Sequence, residues 1–336
     1  MNLRFGAAFS LVFAFAPAAT APPLADDFDQ GNAALEDTLA SVTPGLSRLA
    51  AASSVAPPAR SAAPLRGPEA YATYAALFAR LMQGQTADQL QDVLPGLPQR
   101  LHIAAQVSHK YWTDSNLLDA NAKADILPPK AMKGLGIPRR VTAGIPHAPA
   151  GMMHTYGYLF SQLQTPYGLK GQRWIEARID ERLGLPAGTF GPEPPAGEFT
   201  SNLTAVLYRL IGVTGAPSAA AALEPEATPL GRLEEAVTWE TPEGQRVSAS
   251  IRTHLFDMRS VPGAAGDGEP LLVYEVVRGG RHRLVTAFPA AGGTADFIRS
   301  AKPADDTDFK PLYNLYVDPR WRVVARHSSG FLPGQP

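Results

Sequence analysis

"LLVYEVVRGGRHRLVTAFP", residues Leu271–Pro289, decides the fold. Two runs rich in valine, leucine and aromatic residues flank the pair Gly279-Gly280. A two-residue turn between antiparallel strands needs positive φ at one or both central positions, which glycine adopts without strain. The stretch therefore predicts a β-hairpin with strands over 271–277 and 283–288. Both strands carry apolar residues at odd and even positions alike, which predicts central places in their sheet.

The same pattern continues on either side. "AVTWETPEGQRVSASIRTHLF", residues 236–256, reads as two strands around Pro242-Glu243-Gly244. "YNLYVDPRWRVVARHSS", residues 313–329, reads as a further hairpin around Asp318-Pro319. Upstream the period changes from two to about 3.6. Tyr71, Tyr74, Phe78 and Leu81 recur at helical spacing over 68–83. Thr86 with Gln89 forms a capping box ahead of Leu90, Val93 and Leu94. Further helices are expected over 98–112, 151–164, 171–184 and 200–211, with an irregular Pro- and Gly-broken segment over 113–150. Helices followed by strands, without alternation, imply an α+β protein: a helical N-terminal half followed by an antiparallel β-sheet C-terminal half.

The expected organisation is a signal peptide over 1–21, a flexible Ala/Pro-rich segment over 22–66, a mainly helical region over 67–213, a linker over 214–231 and a β-rich region over 232–336. Arg4, the apolar run Phe5–Ala19 and the small-x-small triplet Ala19-Thr20-Ala21 have the order of a secretory leader cleaved after Ala21. A periplasmic or secreted location in a bacterium is therefore expected, with no membrane span in the mature chain. The absence of cysteine rules out thiol catalysis, Cys-ligated metals and disulfides. The formal charge is −1, and loss of Met1–Ala21 removes one cation, Arg4, to leave −2. That balance does not favour nucleic acid as a partner, and such a partner requires a local basic patch.

No GxSxG elbow, HExxH, GxGxxG, Walker or EF-hand pattern occurs. No cofactor is expected. A metal site is not expected either, because His102 and His109 lie two turns apart, about 10.5 Å of helix rise.

Three groups of residues carry candidate chemistry. On the helix over 151–164, His154 and Tyr158 are neighbours at i and i+4 and are candidates for proton transfer. Lys133, Arg139 and Arg140 in the irregular segment, with Lys170 and Arg173 at the start of the next helix, are candidates for anion binding, since a helix start and free backbone amides favour anions. On strand 247–255, Arg252 and His254 share the face expected to point outward. His282 joins them from the hairpin as a catalytic candidate, with Arg281, Arg283 and His327 near by. Metal-independent ribonucleases use such sets: one histidine as base, one as acid and a cation on the phosphate, so at least two of His154, His254, His282 and His327 are expected to converge. The run Leu284–Pro289 is similar, over six residues, to a segment near the end of the EndoU and colicin-type ribonuclease folds, a length that assigns no family.

Three functions follow as expectations. The first is an exported binding or assembly protein with an envelope or extracellular partner. The second is an exported, cysteine-independent hydrolase or metal-independent ribonuclease using His and Arg. The third is a binder of a small anionic ligand.

Overall fold

The structure is a computed structural model. It describes residues 67–94, 96–97, 101, 110–113, 118–119, 124–136, 151–165, 168–192, 199–215, 225–266, 268–290, 293–305 and 320–335. The protein is mixed α+β, with helices in the N-terminal part and a six-stranded antiparallel sheet in the C-terminal half.

The helices are α1 (Gly67–Met82), α2 (Pro129–Leu135), α3 (Gly151–Phe160), α4 (Lys170–Glu176), α5 (Ile179–Arg182), α6 (Phe199–Leu210) and α7 (Thr294–Arg299). Helix α1 forms where the aromatic spacing predicts it and buries Tyr74, Leu77, Phe78 and Leu81. The Tyr74 hydroxyl is held at the Phe190 and Gly191 carbonyls, 3.0 Å from each, and its ring meets Phe160 edge-on. The Thr86 N–H donates to Gln89 Oε1 at 2.9 Å, so the capping residues do meet, at the head of a short 3-10 turn.

The helix expected over 171–184 divides into α4 and α5. Arg178 between them takes φ +49, a left-handed conformation unusual for a side chain with a Cβ. Its guanidinium is anchored to Glu181 and to the Pro262 carbonyl, which offsets the strain. The expected helix over 98–112 and the turn at Asp318-Pro319 lie mostly or wholly outside the described residues.

Two small ladders, β1 (Leu118–Asp119) with β2 (Ala124–Asp125) and β3 (Gln164–Thr165) with β4 (Gly168–Leu169), sit among the helices. The main sheet comprises β5 (Ala227–Glu240), β6 (Arg246–Met258), β7 (Leu271–Arg278), β8 (Arg281–Pro289), β9 (Pro303–Ala304) and β10 (Arg322–Pro333), in the order β8-β7-β6-β5-β10-β9. Strand β5 reaches back to Ala227, into the stretch read as a linker.

The decisive hairpin forms as read. Gly279 and Gly280 take φ +55 and +73, and Arg278 pairs with Arg281 across them. One expectation about it fails. Strand β8 is the last strand of the ladder, not a central one. Its apolar outer side is covered instead by other chain. Trp112 bridges to Leu284, and the Thr113 N–H donates to the Leu284 carbonyl at 2.7 Å. Thr155 of α3 meets Thr286 hydroxyl to hydroxyl at 3.4 Å. A covered edge has no need of the charges that protect an open one.

The register of β7 with β8 breaks once, between Tyr274 and Glu275. Tyr274 pairs with Thr286 and Glu275 with Leu284, so Val285 is an extra, bulged residue. One side of the sheet packs Leu233, Ile251, Leu255, Leu272, Tyr274 and Val276 against Ile298 and Ala295 of α7. The opposite side carries Arg232 and Glu234 of β5, Arg252 and His254 of β6, and Glu275 of β7. Among the described residues no helix is long and apolar enough to cross a membrane.

Candidate active site

Strand pairing dictates which polar side chains meet. Arg252 lies directly across from Glu275. His254, two residues on, is a diagonal neighbour of Glu275 on one side. On the other side Glu275 pairs with Leu284, which makes His282 the opposite diagonal neighbour. Diagonal positions lie within reach of long side chains on one face. The two histidines therefore converge on a single carboxylate from opposite corners.

The distances bear this out. Glu275 Oε1 lies 2.9 Å from His254 Nε2 and 3.7 Å from Arg252 Nη1, and its Oε2 lies 2.7 Å from His282 Nδ1. The Glu275 side chain is 0% exposed and that of His254 is 1% exposed, whereas that of His282 is 23% exposed. Burial pushes the Glu275 carboxyl up, but the hydrogen bond and charge of His254, then those of His282, outweigh it and hold it below the usual carboxylate range. A carboxylate only accepts, so each histidine donates an N–H to it. His282 is thereby fixed with Nδ1–H toward Glu275 and Nε2 on the ring edge away from it. His254 is enclosed, its Nδ1 buried without a hydrogen-bond partner among the described residues, so its part is to anchor Glu275.

His282 borders a cleft of about 820 Å³. Arg232, Arg252, Arg281 and Arg283 line it from the sheet, and Lys110 lines it from the segment before Trp112. Arg252 is steadied by Glu234, 2.8 Å away. The end of α6 closes another side with Tyr208 and residues 211–214. The Tyr208 hydroxyl is held between two backbone carbonyls, that of His282 at 2.8 Å and that of Tyr111 at 3.1 Å. Burial, with the Glu275 charge next, raises the Tyr208 hydroxyl far above the usual tyrosine range, so it stays a donor. Helix α6 thus grips the backbone that carries His282. Gly280, at the hairpin turn, also borders the cleft and has open space where a Cβ would stand.

No family model matches the chain, and no curated protein or solved structure is detectably similar to it.

The candidates from sequence separate into three places. His254 and His282 come together, with Arg252, but His254 is buried rather than outward-facing, because both faces of β6 are buried from Thr253 to Phe256. His327 stands apart on β10, where its Nδ1 meets Asp305 at 2.5 Å. His154 and Tyr158 do bond to each other, Tyr158 Oη to His154 Nε2 at 2.7 Å, but with exposures of 7% and 3% they lie within the packed face of α3. Of the anion-binding candidates, Lys133 is exposed in the last turn of α2, and the backbone of Lys170 opens α4 as expected. The Arg173 guanidinium donates to the Pro289 carbonyl at 2.7 Å and lies 3.9 Å from Glu269. Arg139 and Arg140 fall outside the described residues. Among the described residues no three histidine or carboxylate side chains are grouped to hold a metal ion.

Reading the sequence passed over Glu275, Arg232, Lys110, Tyr111 and Tyr208. For Glu275 a signal existed: it is the one charged residue in the apolar run Leu271–Val277. A lone carboxylate in a strand buried on both faces requires partners.

Proposed function

We propose that the chain is an enzyme that cleaves a phosphate ester in the cleft beside His282, by general acid–base catalysis. The observation that carries this reading is the Glu275–His282 pair: a buried carboxylate bonded to Nδ1 of a half-buried imidazole at 2.7 Å, at the wall of a cleft with five cationic residues. A carboxylate behind a histidine sets its tautomer and orientation and stabilises the imidazolium formed when Nε2 takes a proton. His282 is the general base and then, protonated, the acid. Glu275 is a positioning residue, and His254 and Arg252 hold it. The cations around the cleft bind the anionic group and stabilise the charge that grows on it in the transition state. This reading is the hydrolase alternative of the sequence, now with a named base.

The test gives the whole chain para-nitrophenyl phosphate esters, bis(para-nitrophenyl) phosphate beside a ribonucleoside 3′-(para-nitrophenyl phosphate), and follows whichever is cleaved. Replacing His282 by Ala is expected to lower the rate at least ~100-fold, the usual contribution of a positioned proton-transfer group, with an unchanged circular dichroism spectrum. A loss of less than tenfold would sink the proposal. It would favour the binding-protein reading, in which the histidine is one contact among several.

Export belongs to the same proposal and rests on the leader-like residues Met1–Ala21. Intact-mass measurement of the protein from a bacterial periplasm is expected to give a chain beginning at Pro22. Retention of the uncleaved chain in the cytosol contradicts it.

A further inference from the structure

Building on the general-base reading of His282, we infer that the substrate is RNA, and that the nucleophile is the 2′-hydroxyl next to the phosphodiester that breaks.

The composition of the cleft narrows the chemistry. Its titratable lining is Lys110, Tyr111, Tyr208, His282 and arginines. Among these described side chains the imidazole of His282 is the one suited to general acid–base work. Among the described residues no carboxylate lines the cleft: Glu275 is sealed beneath the sheet surface and Glu234 is engaged with Arg252. A free water attacking a diester would have to be captured, oriented and deprotonated by that one imidazole. A hydroxyl already attached one carbon away from the phosphate needs only the deprotonation. Such an internal nucleophile has an effective concentration of roughly 10⁵–10⁸ M when well oriented. One base and several fixed cations are a sufficient set for this reaction and a sparse one for any other cleavage of a diester.

The spread of the cations argues for a polymer. Arg232 of β5 and Arg252 of β6 share the face of Glu275, and Arg283, whose partner Val276 lies on the other face, borders the same cleft from β8, three strand spacings from Arg232. At about 4.8 Å per spacing the cations bordering the cleft spread over roughly 14 Å. That is more than one phosphate group occupies, so phosphates on either side of the reacting one also find partners. The net charge of the chain, −1, gives no attraction of its own. The attraction is local, which is the condition the sequence set for a nucleic-acid partner.

The step balances without a co-reactant. His282 Nε2 takes the proton of the 2′-hydroxyl, and the 2′-oxygen forms a bond to phosphorus. The bond from phosphorus to the 5′-oxygen breaks, and that oxygen receives a proton from the imidazolium. The products are a 2′,3′-cyclic phosphate and a 5′-hydroxyl, and His282 returns to its neutral form.

The experiment changes the substrate, so it does not depend on whether a variant folds. The full chain is given a single-stranded RNA, the same RNA with 2′-O-methyl groups throughout, and the DNA of the same sequence. Alongside are uridine 3′-(para-nitrophenyl phosphate) and thymidine 3′-(para-nitrophenyl phosphate). The expected result is cleavage of the RNA and the uridine ester, at least ~100-fold faster than of the methylated, DNA and thymidine counterparts. RNA fragments should end in cyclic phosphate by mass spectrometry, and His282→Gln should abolish the cleavage. If the thymidine ester and DNA react as fast as the uridine ester and RNA, and His282→Gln slows both, the RNA assignment falls while His282 as base survives. If nothing is cleaved, or His282→Gln cleaves as fast as the parent chain, the general-base reading falls and takes the RNA assignment with it.

Discussion

Glu275 is the costliest residue of the site. An isolated carboxylate does not survive in a strand interior with its charge intact, because desolvation favours the neutral form. Here two donors, His254 and His282, hold it, with the Arg252 charge 3.7 Å away, and the net effect of the histidines is a carboxyl held below its usual range. A group whose folded-state pKa is lowered stabilises the fold above the unfolded value, and that stability is lost as pH falls through the folded value. Replacing Glu275 by Gln is therefore expected to cost roughly 1–3 kcal/mol at neutral pH, the range for a buried polar group left badly paired. The gap between the two proteins should narrow as pH drops below about 4.5. Denaturant unfolding at a series of pH values measures this, and a gap that is constant with pH contradicts it. The same variant should displace the pH–rate profile, an effect that weakened packing alone does not produce. The glutamate was visible as a charge in an apolar run. Its partners were not, because the histidines reach it along diagonals that exist only once the strand register is known.

A hydrogen bond from the Tyr208 hydroxyl to the His282 carbonyl ties helix α6 to the hairpin of β7 and β8. Replacing Tyr208 by Phe leaves the ring packing in place and removes that tie. A stability loss of about 0.5–1.5 kcal/mol is expected in chemical unfolding. The rate should fall more than the affinity for substrate, since what loosens is the aim of His282. Equal changes in both, or none in rate, count against a positioning role for Tyr208. At this scale the strands were the legible part. Gly279-Gly280 and the runs beside it name a hairpin without help from the rest of the chain. The place of β8 at the end of the sheet was illegible for a physical reason: an edge covered by Trp112 and α3 has the same apolar composition as a centre.

Across the whole molecule the cleft draws on residues 110–111, 208, 211–214, 232, 252 and 280–283. No single stretch of sequence holds enough of it to be recognised, which is why a chain of near-zero net charge concealed a basic site. The site should show itself through salt. Binding of a single-stranded oligonucleotide to the His282→Ala protein is expected to weaken steeply, by tenfold or more, between about 50 and 200 mM salt. Replacing Arg283 by Gln should lower the slope of log affinity against log salt by about one. Affinity that ignores salt would place the oligonucleotide elsewhere. The bulge at Val285 has one more consequence, which is a matter of parity. If the pairing of Tyr274 with Thr286 ran on unbroken, Glu275 would face Val285 and Val277 would face Arg283, leaving His282 on the opposite side of the sheet. One surplus residue thus chooses between a histidine and an arginine as the neighbour of the buried carboxylate, and the chemistry of the cleft rests on an odd number.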